Sequence, residues 1–517
     1  MHWSRWGDPA EAGPLPENAF ALVDAFIGTT DTPAVASAEV RLSEPLDADL
    51  VAELAALVGE DHVLTDHETR LHRTRGKSTP DLLRLRAGDG SDSPDAVVRP
   101  GSHEEVLAVI DWCVAKHVAL VPFGGGTSVV GGLAAQRDGF AGVVSLDLIR
   151  FDQLLEVDRT SMTAVLEPGL RGPQAEALLA AEGLTLGHFP QSFEYASIGG
   201  FAVTRSSGQS SAGYGRFDSL VVGLKVATPQ GTLELGSSPA NAAGPDLREL
   251  VMGSEGTLGV VTAVRVRVRP VPEVKVYDAW RWASFADGAT AMRTLAQAGM
   301  LPTVLRLSDE NETAINLAKP SEVGGESAGG CLMITGYEGT PAAVEAKQAA
   351  VTKLLSDLGG TRTEGGEAWA QGRFHGPYLR DSLLDVGVLV ETLETVTFWS
   401  NLDHVYSRVK EALVGALGEA TLVLCHISHV YETGASLYFT VATKGSDDPL
   451  NQWLAAKAAA SDAMVGNGAS ITHHHAVGRD HKPWLAQEIG PVGVEILRAV
   501  KEKMDPTGVL NPGVLIP

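Results

Sequence analysis

Cysteine is nearly missing from this sequence. The three present, Cys113, Cys331 and Cys425, lie far apart and form no CxxC pair, so neither a zinc ribbon nor a dithiol switch is encoded. That usage also argues against a disulfide-stapled secreted scaffold and suits a reducing compartment. Basic residues are too few to balance acidic ones: 40 Lys and Arg stand against 64 Asp and Glu, a formal charge of −24. A surface that acidic repels phosphate backbones, which argues against nucleic acid as a primary partner. No window approaches the ~18 uninterrupted apolar residues of a membrane-spanning helix. The opening residues 1–9 (MHWSRWGDP) lack the basic start and apolar run of a secretory signal, and 514–517 (VLIP) is not a Ser-Lys-Leu type address. The expected location is the cytoplasm. Internal repeats and low-complexity tracts are absent. What remains is ordinary globular usage, 44% hydrophobic and 20% charged over 517 residues. That length holds about two to four domains, and an enzyme is the expected class.

Along the chain, residues 1–93 read as a mostly helical lead-in, with helical periodicity at 47–57 (DADLVAELAAL), and 88–94 (GDGSDSP) reads as a linker. A strand at 96–100, an amphipathic helix at 103–116 and a strand at 119–123 then run directly into a glycine triplet. Short strands follow at 142–148, 163–167, 220–228 and 259–268. From 274 onward longer helices alternate with strands, for example 343–358 and 402–417. The acidic, Gly-rich stretch 321–330 reads as an exposed loop. Strands at 421–429 and 436–442 form a hairpin-type pair. A helix near 451–464 leads to the run ITHHH at 471–475, and a final helix spans 491–504.

The strongest local signal is VPFGGGTSVVGG at 121–132. Glycines after a strand let the backbone approach a ligand and aim N–H groups at it, and such a nest suits a pyrophosphate. The spacing matches neither a P-loop nor a Rossmann fingerprint. Three further polar, glycine-bearing loops occur within ~140 residues, at 190–200 (PQSFEYASIGG), 204–208 (TRSSG) and 252–259 (MGSEGTLG). Together they point to one extended ligand lying across a β-rich region.

These motifs, in this order, resemble the FAD-binding domain of the vanillyl-alcohol oxidase superfamily. The further segments GFAVTRSSG (200–208), YLRD (378–381), YETGASLYF (431–439) and HHHAVG (473–478) make the chain similar nearly end to end to the alkyldihydroxyacetonephosphate synthase (alkylglycerone-phosphate synthase) family. The resemblance implies an α+β fold: a two-part FAD-binding domain of the vanillyl-alcohol oxidase type with an α/β cap (substrate) domain. The implied division is 1–93 helical N-terminal region, 94–272 FAD-binding domain, 273–468 cap, and 469–517 a C-terminal segment completing the active site. It implies an FAD-dependent transferase that replaces the acyl group of acyl-dihydroxyacetone phosphate by a long-chain alcohol, a step of ether-lipid synthesis with no net redox change. Lipid substrates imply peripheral membrane contact, and the family implies a homodimer.

Carried over by position, Tyr438 matches the catalytic tyrosine, Arg380 a substrate-phosphate contact, Arg306 an arginine needed for activity, and His473, His474 and His475 the active-site histidine run. Asn511 falls near a functional asparagine, although LNPG at 510–513 departs from the local pattern. FAD contacts are expected from Pro122, Phe123, Gly124, Gly125, Gly126, Thr127 and Ser128; from Gln191, Ser192, Phe193, Glu194, Tyr195, Ala196 and Ser197; from Thr204, Arg205, Ser206 and Ser207; and from Glu255, Gly256, Thr257, Leu258, Gly259, Val260 and Val261. His188 is expected to be structural and the FAD noncovalent, since no histidine follows Ser128 in the first loop.

A tyrosine with a reference pKa of about 10 needs nearby positive charge to act as a base near neutrality, and Arg306 and the histidine run are the expected source. In an extended segment His473 and His475 face one side and His474 the other, so at most two of the three reach one ligand. No metal is expected, because metals usually want spaced ligands plus a carboxylate. His426 and His429, which depart from the family pattern, keep a metal site open as an alternative. The competing functions are an FAD-dependent oxidoreductase of a 2-hydroxy acid or related alcohol, and a catalytically silent flavin- or lipid-binding protein.

Overall fold

The computed structural model describes residues 1–11, 15–134, 136–315 and 329–517, and its architecture is mixed helix and sheet. Among the described residues, three principal sheets organise the chain. A four-stranded sheet runs Val63–Leu64, Ala96–Val98, Val143–Asp147, Ala119–Phe123, parallel except for its first strand. The helix His103–Lys116 crosses over between two of its parallel strands. Ser102 caps it by accepting from the Glu105 amide at 3.1 Å, and Glu104 and Glu105 complement the positive end of its dipole. A second, antiparallel sheet runs Gly231–Leu235, Val221–Thr228, Val260–Arg267, Thr163–Leu166, Leu154–Asp158.

The third sheet has seven strands, all paired antiparallel: Thr361–Thr363, Val274–Trp282, Cys331–Gly339, Val304–Ser308, Leu422–Ile427, Gly434–Lys444, Val388–Phe398. Its strands send successive side chains to opposite faces, and the alternation is chemical. Leu305, Leu307, Val423, Cys425, Ile427, Leu437, Phe439 and Val441 enter a hydrophobic core with the helices Phe285–Gln297, Pro341–Asp357, Leu402–Leu417 and Pro449–Gly466. Arg306, Ser308, Leu424, His426, Tyr438 and Thr440 face the other way, into a cavity.

Several expectations are corrected. Residues 88–94 are no linker: Asp89–Gly90 pairs with Arg41–Leu42, and Ser93 is fully buried. Next to it, Asp95 is clamped by Arg137 at 2.7 Å and accepts from the Val143 amide at 2.8 Å. Leu46, Leu54, Val58 and Val63 share the core of the strands at 96–146, so the early residues are knitted into the first sheet. The final helix does open at Pro491 and run to Met504, after Gly490 (φ 73°) separates it from a preceding helical stretch that begins at Lys482. Of the loop expected at 321–330, residues 321–328 lie outside the described residues.

Candidate active site

Between the glycine-rich loops and the seven-stranded sheet lies a cavity of about 780 Å³. All of 122–128 line it, with Gln191, Ser192, Ala196 and Ser197, then Thr204, Ser206 and Ser207, then Glu255, Gly256, Gly259, Val260 and Val261. Six expected contacts point elsewhere. Phe193 packs between Phe189 and Phe374, and Glu194 is exposed. The Tyr195 hydroxyl takes the Asp8 amide and meets that of Tyr378. Arg205 turns outward to Glu249, Thr257 closes its own turn onto the Ser254 carbonyl, and Leu258 is buried.

The glycines also set how two of the loops pack. A Cβ on Gly124 would sit 2.2 Å from Ser197 Oγ, and one on Gly125 would sit 2.3 Å from the Tyr195 carbonyl oxygen. The missing side chains let the second loop lie against the first, and both glycines also line the cavity. The fourth loop is tied down from behind. Glu255, at φ 52°, accepts from the Val477 and Gly478 amides at 3.1 and 2.8 Å. Burial pushes its carboxyl up to about 7 against those hydrogen bonds. Asn511 lies outside the cavity lining and donates Nδ2 to the carbonyls of Gly132 and Glu255, bracing the first and fourth loops.

The sheet-side wall carries the polar cluster. Tyr438 stacks on His426 at 4.7 Å (21°) and meets His475 edge-on at 5.6 Å. Arg306 pairs with Glu312 and lies 3.0 Å from His426 Nδ1, so Glu312 holds both side chains. Arg380 is buried, with Nη1 donating to the Lys77 carbonyl at 2.6 Å and Nε to Asp381 at 2.9 Å. Its Nη2 finds no hydrogen-bond acceptor among the described residues, though it ion-pairs with Asp381. His188 stays in the core, 3.1 Å from Ser206 Oγ and packed on Phe201.

The histidine run is bent rather than extended, and the reason is Glu394. This buried carboxylate accepts from the amides of His473, His474 and His475 at 2.6, 3.1 and 2.9 Å, and from Thr472 Oγ1 at 2.6 Å. Burial opposes its ionisation, yet His474, His475 and the hydrogen bonds hold its carboxyl down at about 2. Wrapped around that anion, His474 and His475 reach the cavity while His473 turns back to Tyr431 at 2.6 Å. The facing pair is therefore an adjacent one. The expected positive charge is weaker than the sequence implies, since Arg306 is paired with Glu312. Burial lowers all three histidines, and burial with Glu391 and Glu394 nearby pushes Tyr438 up to about 12, so its resting form is the neutral hydroxyl.

Glu312 and Glu394 escaped the sequence reading because a single acid inside a strand or short helix carries no spacing signal. So did Arg373, which lines the cavity against Phe374 and has Nε and Nη1 buried without acceptors among the described residues. Its neighbours in 372–374 (GRF) form no motif, and only the folded cavity identifies it.

Comparison with known proteins converges on one neighbourhood. A family model described as "FAD binding domain" matches residues 94–236, and one described as "FAD linked oxidases, C-terminal domain" matches 271–515. An alkyldihydroxyacetonephosphate synthase of Dictyostelium discoideum is 33% identical over 515 residues, covering 94% of this chain and 84% of that protein. A solved alkyldihydroxyacetonephosphate synthase superposes with a TM-score of 0.84 at 29% identity, over 99% of this chain and 98% of the other. p-Cresol methylhydroxylase, at 17% identity and a TM-score of 0.71 over 90% and 96% of the two chains, shares the fold.

Proposed function

The chain belongs to the alkyldihydroxyacetonephosphate synthase family, and from that membership we propose that it replaces the acyl group of acyl-dihydroxyacetone phosphate by a long-chain alcohol without net redox change. It is an FAD-dependent enzyme with the vanillyl-alcohol oxidase-type fold. The residues fit that cofactor. Backbone from four loops lines one continuous wall, the Thr127, Ser128, Ser206 and Ser207 hydroxyls border it, and Gln209 faces it with Oε1 buried and unpartnered among the described residues. Bound there, noncovalently on this reading, FAD would supply an electron-poor ring system to the reaction.

The observation that carries the reading is the cavity's mixed lining. It combines the polar set Arg380, Tyr438, His474 and His475 with an apolar cluster that includes Val23, Leu383, Val388 and Ala442. An anionic head group suits the first and a long alkyl chain the second. Arg380 binds the phosphate through Nη2, shared with its Asp381 ion pair, and Arg306, paired with Glu312, adds a second guanidinium to the wall. Tyr438 exchanges the proton at the reacting carbon, taking it in its ionised form and returning it from the hydroxyl, and His474 and His475 fix its setting. The helix Glu17–Phe26, which carries Val23 of that cluster, leaves Phe20 40% and Phe26 75% exposed, which suits contact with a membrane surface during lipid uptake. Among the described residues no helix is long and apolar enough to cross a membrane.

The test is an anaerobic incubation with acyl-dihydroxyacetone phosphate and a long-chain alcohol, following ether product and flavin absorbance together. Ether product with the flavin oxidised throughout is the expected outcome. Bleaching by a 2-hydroxy acid with no ether product would transfer the assignment to an oxidoreductase.

A further inference from the structure

Beside the polar set of the cavity lining, three imidazoles converge that the transfer reaction does not use together. We propose that His429, His473 and His474 form a binding site for a divalent transition metal ion of the zinc class, with its open position facing the cavity. One ring nitrogen from each residue lies within 4.8 Å of the other two. His429 and His473 are 4% exposed, and His429 and His474 also line the cavity wall.

The hydrogen bonds around the cluster orient it. His429 Nδ1 lies 2.9 Å from Ser207 Oγ and 2.7 Å from Ser211 Oγ, while His473 Nε2 lies 2.6 Å from the Tyr431 hydroxyl. With those nitrogens engaged outward, the opposite nitrogens of both rings are turned to the cluster, and His473 Nδ1 already sits 2.9 Å from His474 Nδ1. The His429 and His473 rings stack at 4.8 Å and 20°, so a rotation of one ring is needed to bring both free nitrogens onto one ion. Outer partners of this kind, each on a ring's second nitrogen, are usual for metal-binding histidines.

One carboxylate offsets the neighbouring positive charge here. The Glu394 carboxylate lies 3.6 Å from His474 Nδ1, and the neighbouring Arg216 is paired with Asp218 at 3.1 Å, which offsets its repulsion. Tetrahedral zinc with bonds of ~2.0–2.1 Å sets its ligand nitrogens ~3.4 Å apart, so the widest pair needs to close by about 1.4 Å while the His473–His474 pair opens by about 0.5 Å. Three neutral imidazoles with a vacant fourth position are a known zinc donor set, and that position would take water or an oxygen of a carbonyl, carboxylate or phosphate. Zinc is redox-inert, so the ion leaves the electron balance of the transfer reaction untouched. The inference stands on protein geometry and does not rest on the reaction assigned above.

FAD-loaded protein, stripped with chelator, is titrated with Zn²⁺ by calorimetry and analysed for metal after dialysis. One Zn²⁺ per chain is expected, unchanged in the exposed-residue control His404→Gln and lost in both His429→Gln and His473→Gln. Tyr431→Phe, which removes the outer partner of His473, should weaken binding on the order of 10- to 100-fold. Circular dichroism and flavin content establish that each variant is folded, and if one histidine variant fails that check the other decides. No saturable binding, or stoichiometric binding that survives intact in a folded His429→Gln or His473→Gln protein, would overturn the site.

Discussion

Replacing Gly125 by alanine isolates the contact between the first two cofactor loops. The backbone at Gly125 is not in the positive-φ region, so alanine meets no conformational penalty and any effect comes from its Cβ. That atom would lie 2.3 Å from the Tyr195 carbonyl oxygen and 2.7 Å from Ala196 Cα, where ordinary contact begins at 3.4 Å. The loops must part by roughly the difference, 3.4 − 2.3 = 1.1 Å, and both obstacles are main chain that no rotamer change removes. Overpacking of that kind costs about 1–3 kcal/mol. Because both loops line the same cavity, the spread geometry should be corrected when flavin binds, which weakens FAD by about 5- to 150-fold. Flavin fluorescence titration and thermal unfolding read both quantities. Gly415→Ala supplies the opposite control: it is an exposed helical glycine with nothing within 4 Å of its Cβ. That change should stabilise the protein by about 0.5–1 kcal/mol. A Gly125→Ala protein with wild-type flavin affinity and melting temperature would refute the packing argument.

Three further outcomes are expected. Tyr438→Phe removes one hydroxyl from a ring stacked on His426, so fold and FAD content should survive while alkyl transfer falls about 10²–10⁴-fold; near-wild-type transfer would remove Tyr438 from the chemistry. Arg380→Ala should weaken the phosphorylated substrate roughly ten- to hundredfold, with Arg380→Lys also impaired, and unchanged substrate affinity would eliminate the phosphate contact. Glu255 has its pKa raised from 4.5 to about 7, so the folded state holds a proton that the unfolded chain releases, and stability should fall as pH rises through that window. Glu255→Gln should flatten that decline, and an identical slope in both proteins would contradict the linkage.

Much of the architecture was readable because the signals were local. The helix at 103–116 announces itself through a serine cap and two early acids, and each glycine-rich loop directly follows or precedes an apolar run. The strands at 422–427 and 434–444 were equally visible, including the tyrosine and histidines they carry. Their faces were not. Which of two alternating sets meets helices depends on four helices from elsewhere in the chain. The bend at 471–475 was illegible for a related reason, since Glu394 imposes it from a strand 79 residues away from His473. The stretch at 88–94 has a linker's composition, and only the Asp95–Arg137 clamp beside it and the pairing with 41–42 explain its burial.

The bracing of the first loop by Asn511 has a bearing on how the protein is made. Asn511 and Gly132 are 379 positions apart, and the same late segment joins the first sheet through the Leu120–Leu510 bridge and the bond from the Leu120 amide to the Val509 carbonyl. At ~5–20 residues per second, a ribosome takes about 20 to 75 seconds to travel that distance. Throughout that interval the glycine-rich loops exist without the residue that holds two of them together. The braced form of the two cofactor loops therefore exists only once the chain has been made through residue 511.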